Sequence, residues 1–235
     1  MYEWKYFVME TLVTNKVSIV LHAEFLCMEI KERIQKKAQE LFRRYGVRSV
    51  TMDEIASHLG VSKKTIYQYF SDKDELVIEV ADSIIKYAEQ CCDSHCVHAE
   101  NAIAELFQAM QFGQQMFQEI NPAMLFDLEK YHPQAYKNFL QYKHQYMLKI
   151  IERNLLRGIR EELYRDDINV DIITRFRLET MLLPLQSEIF PPAKYKVHDV
   201  HTILMEHFLF GIASQKGYKL IEKYRKRNKS KVNEK

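Results

Sequence analysis

Between residues 30 and 45, Ile30, Ile34, Ala38, Leu41 and Phe42 recur at helical spacing, and Gly46 stands where a helix ends in a left-handed residue. A second start follows at once. Thr51 can cap the first amides, Glu54 at N3 can return the bond as a capping box, and Val50 can staple onto Ile55. Ile55, Ala56 and Leu59 share one side of this short helix, which Gly60 stops after about two turns. Val61, Ser62 and Ile66 repeat the staple-and-cap signal for another short helix, and Ser71 with Asp74 at N3 predicts a third cap.

Beyond Asp72 the pattern stays helical, and breakers divide it. Helices are expected to about residue 93, over about 99–119, after Asn121-Pro122 and after His132-Pro133. Two more are expected over about 170–189, kinked at Pro184, and about 197–226, with Pro191-Pro192 between them.

Composition strengthens the all-α reading. Gly and Pro total 11 of 235 residues, well under half the usual share of about 12%, so the frequent turns of a many-stranded fold are missing. The six glycines stand too far apart for G-x-G-x-x-G, a P-loop or G-x-S-x-G, and no H-E-x-x-H occurs. With no catalytic or cofactor motif, the chain reads as a non-enzyme without a cofactor. Four cysteines, three of them clustered, cannot staple a fold of this size, which fits a reducing cytoplasm. The first 27 residues hold no apolar stretch long enough for a signal sequence or a membrane span.

Charge is unevenly placed. Residues 31–71 hold nine Lys/Arg against four Asp/Glu, and residues 216–235 hold nine against two, so a net +2 hides two basic islands on an acidic body. In the first island two short helices, joined by a tight turn, must cross steeply against the preceding long helix. That is the helix-turn-helix arrangement, whose second helix can enter a DNA major groove. Its outward residues are Lys63, Lys64, Thr65, Tyr67, Gln68 and Tyr69, and no acidic residue occurs from Ile55 to Ser71.

The segment TMDEIASHLGVSKKTIYQYFSDKDEL, residues 51–76, resembles the signature T-x-x-x-I-A-x-x-x-G-V-S-x-x-x-x-Y-x-[HY]-F-x-x-K-x-x-L of the TetR family of bacterial transcription regulators. With the helix before it, the resemblance covers roughly 50 residues. It implies an N-terminal three-helix helix-turn-helix domain over 28–73 and a C-terminal helical ligand-binding and dimerisation domain over 74–226, followed by a basic tail, 227–235. Thr51 would cap and touch a phosphate, Lys63, Lys64, Thr65 and Gln68 would lie over base edges or backbone, and Tyr67, Tyr69 and Lys73 would contact phosphates. Tyr69 stands where His is commoner. The implied function is a ligand-responsive repressor bound as a homodimer to a palindromic double-stranded operator. Dimerisation is assigned to Ile172, Phe176, Met181, Leu204, Phe208 and Ile212. A pocket for a small apolar effector is assigned to Phe107, Met110, Phe126, Tyr136, Tyr146 and Met147.

A second reading concerns Cys91, Cys92, His95, Cys96 and His98, whose i,i+4 pairs suit a metal or thiol sensor, although no second ligand set at standard spacing appears. A different class, an all-α ligand carrier or enzyme, has no motif of its own. Residues 1–27 precede Met28-Glu29-Ile30, where many family members begin, so they are read as an extension either untranslated or weakly ordered. The tail 216–235 is expected to fray into solvent.

Overall fold

The computed structural model describes residues 30–233 except Glu119, with side chains up to Lys226. The expectations for residues 1–27 lie outside the described residues. The described elements are helical: α1 (Ile30–Tyr45), α2 (Met52–Leu59), α3 (Lys63–Tyr67), α4 (Lys73–His98), α5 (Ala102–Phe117), α6 (Ala123–Tyr131), α7 (Pro133–Gln141), a π-helical turn (Tyr142–Met147), α8 (Leu148–Arg160), α9 (Val170–Thr180), a 3-10 turn (Leu183–Leu185), α10 (Val197–Ile212) and α11 (Gln215–Asn233). Among the described residues the only β pairing is the isolated bridge Tyr164–Ala213. None of these helices is long and apolar enough to cross a membrane.

Two apolar clusters organise the molecule. The first closes around Ile34, Phe42, Ile55, Ile66, Phe70 and Leu76, so α1, α2 and α3 share their core with the start of α4 and with Leu128 and Ala135. The second holds Ile103, Phe107, Met147, Leu155, Tyr164, Met205, Leu209 and Ile221, and is built on the packing of α10 against α5 and of α9 against α8.

The capping box at Thr51 forms in full: the Glu54 N–H donates to Thr51 Oγ1 at 3.2 Å and the Thr51 N–H to Glu54 Oε2 at 2.7 Å. Gly60 takes the left-handed C-cap at φ 67°, and Ser62 accepts from the Thr65 N–H at 3.1 Å. The third cap is one residue later than expected. Asp72, not Ser71, accepts from the Glu75 N–H at 2.8 Å, while the Ser71 N–H donates to the Glu75 side chain at 2.6 Å. A carboxylate at the N-cap supplies the negative charge that a helix N-terminus favours.

Three further expectations need correction. The helix from residue 73 does not stop near residue 93 but runs on to His98. Pro184 ends its helix rather than kinking it: α9 stops at Thr180, four residues earlier, the carbonyl with which a proline ring in a continued helix would collide. The expected helix 197–226 is two helices, broken at Ala213-Ser214. There Ser214 Oγ accepts from the Gly217 N–H at 3.0 Å and donates to the Glu162 carbonyl at 2.7 Å, so a new helix is capped. That helix runs to Asn233, so the tail does not fray from residue 216.

Tyr164 is the largest fully buried side chain, with its hydroxyl 3.1 Å from the Ala102 carbonyl and 3.0 Å from Asn154 Oδ1. Its ring packs against Gly158, where an added Cβ would come within 1.9 Å of Cδ2. Neither a buried ring nor a packed helix backbone can retreat that far. Gly158→Ala is therefore expected to lower unfolding free energy by about 3 kcal/mol in urea titration.

Candidate nucleic-acid interface and the cavity behind it

Ile66 and Phe70, both at 0% exposure, seat α3 on the first cluster and fix which residues face outward. Lys63, Lys64, Tyr67, Gln68 and Tyr69 are exposed together, on one short helix and its C-terminal turn. Lys64 and Gln68 make no side-chain hydrogen bond or ion pair with the described residues, and so remain available to a ligand. Lys63 is different. It donates to Asp53 Oδ2 at 2.8 Å, and that hydrogen bond raises its pKa and ties α3 to α2. The hydroxyls of Thr51 and Thr65 are both engaged in caps, Thr65 lying 2.8 Å from Ser62 Oγ.

Lys73 does not point freely outward. Its ammonium donates to the Val47 carbonyl at 2.7 Å, and burial lowers its pKa. It belongs to a grip on the turn after α1. In that grip the Arg48 N–H donates to Asp127 Oδ2 at 2.9 Å, the Asn121 N–H donates to the Arg43 carbonyl at 2.7 Å, and Arg43 Nη2 donates to the Gln115 and Gln118 carbonyls at 2.5 and 2.6 Å. Gly46, at φ 84°, lets the chain pass Asp127, whose carboxylate would be 3.1 Å from an added Cβ. The end of α5 and the start of α6 thus hold the reading unit through backbone groups. Sequence reasoning missed Arg43 and Asp127 because nothing in their spacing marks contacts more than 70 residues away.

A cavity of about 290 Å³ lies between the two apolar clusters. Its wall includes Phe42, Val47, Val77, Val80 and Leu128 from the first, and Met147, Ile151, Leu155, Met205 and Phe208 from the second. Of the six expected pocket residues only Met147 lines it. Phe126 is exposed under Lys130, Tyr136 packs on the first cluster, and Phe107 turns away to meet Tyr224 at 5.4 Å. Met110 lies inside the second cluster without reaching the cavity, and the Tyr146 hydroxyl reaches outward to the Glu89 carbonyl and Asp93. Helical phase decides this: α5 turns Leu106, Ala109, Phe112, Gly113 and Met116 inward, leaving Phe107 and Met110 on another side. The π turn further shifts the register so that Tyr142 and Met147 both face the void.

The expected dimer face divides in two. Ile172 and Phe176, one turn apart on α9, are exposed at 60% and 53%, and Ile203 on α10 is exposed at 66%. Phe208 and Ile212 are buried in this chain's own core and are not surface positions, Met181 lines the cavity, and Leu204 is half-buried. Among the described residues no group of three or more His, Cys, Asp or Glu converges on a metal-sized site. The alternative reading of Cys91, Cys92, His95, Cys96 and His98 as a metal site therefore finds no converged ligand set. Cys92 faces the cavity, where burial pushes its thiol up to about 11, His98 Nδ1 lies 2.8 Å from the Ser94 carbonyl, and the His95 ring stands edge-on to Phe112. Such a thiol stays protonated at neutral pH.

Residues 34–80 match the family model described as bacterial regulatory proteins, tetR family. Over these residues the chain carries the amino-terminal unit of the tetR family. The chain is 32% identical over 106 residues to the HTH-type transcriptional regulator YvaF of Bacillus subtilis (strain 168), an alignment spanning 45% of this chain and only 55% of that protein. Similar solved structures include a putative transcriptional regulator from Saccharomonospora viridis in complex with choline, at TM-score 0.66 and 18% identity, covering 80% of this chain and 99% of that one. Another is the regulator FadR from Bacillus subtilis in complex with stearoyl-CoA, at TM-score 0.57 and 17% identity, covering 77% and 98%. These likenesses show that the shared fold continues through the helical body.

His201, on α10, carries a measurable consequence of the cavity. Burial, and then the Arg177 charge, lower its pKa to about 4. The folded state therefore resists a proton that the unfolded chain takes up near pH 6.5, and stability falls as pH drops from about 6.5 to about 4. The full loss is about 3 kcal/mol. Chemical denaturation at a series of pH values is expected to show this added loss in the natural chain and not in His201→Gln.

Proposed function

We propose that this chain is a DNA-binding transcriptional regulator, working in the cytoplasm as a homodimer on a palindromic operator and released from it by an apolar ligand. The observation that carries the reading is the exposed set Lys63, Lys64, Tyr67, Gln68 and Tyr69 on a doubly capped helix pair. Lys64 and Gln68 have the reach and the unpaired donors for base edges, while Lys63, Tyr67 and Tyr69 suit the phosphates flanking them. Lys73 acts one step back, by holding the Val47 turn. Five helical residues are enough, because a groove-reading helix presents mainly its first turns.

The exposed Ile172, Phe176 and Ile203 support α9 and α10 as the face on which two copies meet. The cavity supports the switch, since its wall includes Phe42 and Val47, which belong to the core of the reading unit. A ligand that prefers one arrangement of the two clusters would shift the spacing of the paired recognition helices, and operator affinity falls by the difference in its binding to the two arrangements. Whether the outcome is repression or activation depends on where the operator lies.

The test is a fluorescence-anisotropy titration with DNA from upstream of the chain's own gene. Saturable binding that resists competitor DNA is expected, with two chains per site and a steep salt dependence. Lys64→Ala and Gln68→Ala should weaken it about 10-fold and change operator preference, Tyr67→Phe should weaken all sites alike, and Phe176→Glu with Ile203→Glu should leave a monomer with little affinity. Weak binding indifferent to DNA sequence and to these substitutions would refute the reading.

A further inference from the structure

Arg177 sits in the last turn of α9, 5% exposed, with its side chain in the wall of the cavity. Its guanidinium makes no hydrogen bond or ion pair with any described residue. Its one contact of note is the face of Phe208, with the guanidinium carbon 5.4 Å from the ring centre. Beside it in the wall is His201, 4% exposed, with a buried Nδ1 that has no partner. The lack of a side chain at Gly113 makes room for that ring, because an added Cβ would stand 2.4 Å from its Cε1.

The other charged groups of the wall have partners among the described residues. Glu105 is paired with Arg157 at 3.1 Å, and Arg43 is held by the Gln115 and Gln118 carbonyls. Burial lowers the Arg177 pKa to about 10, which leaves it charged at neutral pH, and no carboxylate contributes to its electrostatics. Among the described residues the cavity is therefore a largely apolar chamber in which the Arg177 guanidinium meets neither a carboxylate nor a hydrogen-bond acceptor. An unpaired buried guanidinium is costly, and a packed apolar residue of similar size would be more stable. Its planar fork of N–H donors matches a carboxylate in bidentate fashion. A quaternary ammonium would be repelled, and an uncharged apolar molecule would leave the cost in place.

We propose that Arg177 docks the carboxylate of an amphipathic monoanion whose apolar body fills the cavity, with His201 Nδ1 as a second polar contact for the same head group. This rests on the reading of the cavity as the effector site and names the class of effector. The volume, about 290 Å³, lies at the lower end of ligand sites and suits a single medium-length chain or a compact apolar acid. The anchoring charge stands on α9, which also carries exposed Ile172 and Phe176, so neutralising it acts on the helix proposed to meet a second copy.

Calorimetric titration of the purified full chain with decanoate and with 1-decanol separates the charge from the tail. The natural chain is expected to bind decanoate at least 10-fold more tightly than decanol. Arg177→Met should bind both alike, with a melting temperature at or above that of the natural chain, because it removes an unpaired charge. Arg177→Lys, which keeps the charge without the fork, should retain part of the preference and stands in if the first variant does not fold. Equal binding of acid and alcohol by the natural chain, binding of neither, or an undiminished preference for the acid in the variants overturns the proposal. If operator binding by the ligand-free protein persists while the acid preference is absent, this proposal alone falls; absence of operator binding strikes the regulator reading instead.

Discussion

The turn from Gly46 to Arg48 is the joint on which the molecule depends. Its backbone groups are bound from outside the three-helix unit: the Val47 carbonyl by the Lys73 ammonium and the Arg48 N–H by the Asp127 carboxylate. Just before it, Arg43 reaches two carbonyls at the end of α5. Hydrogen bonds to charged groups are among the stronger ones a protein makes, and they hold to short distances and fixed angles. In the proposed switch, a small movement of α5 or α6 is passed through this joint into the reading unit. The His132–Asp74 contact at 2.6 Å adds a second tie, between the start of α7 and the start of α4.

The cavity lies where such a movement would begin. Its wall is shared by both apolar clusters, so whatever fills it changes the packing of α5 against α4 and α10 at the same time. Close-packed clusters respond to a new occupant by moving as units rather than by deforming smoothly, which is how a change within a cavity becomes a rigid shift of helices. Arg177 gives that cavity its polarity, and Gly113 with His201 gives it part of its shape.

The reading unit was legible in the sequence almost residue by residue. Thr51, Glu54, Gly60 and Ser62 act through neighbours three or four positions away, and such local chemistry is written in order along the chain. The one slip, Ser71 for Asp72, came from two adjacent residues that are both good caps. The body was legible only in outline. Its helices followed from breakers, but Pro184 proved a terminus because nothing in the pattern separates a kink from an end. The break at Ser214 lacks a Gly or Pro to announce it. Of the cavity only Met147 was legible: Phe107 and Met110 have the right chemistry on the wrong side of α5, and the unpaired state of the Arg177 guanidinium is a fact of three-dimensional packing that no spacing reveals. Of the residues assigned to dimerisation, Ile172 and Phe176 look outward while Phe208 and Ile212, one helix later, fill their own core.

The central claim is that the reading helix and the cavity are coupled through the grip on residues 46–48. Amide hydrogen exchange of the ligand-free protein, with and without operator DNA, tests it without knowledge of the effector, because coupling between two sites is reciprocal. DNA bound at residues 62–69 is predicted to change protection at residues 46–48 and also at the cavity-lining stretches 80–92 and 106–118, which do not touch the DNA. Changes confined to residues 30–73, with the cavity wall unaltered, would contradict the account.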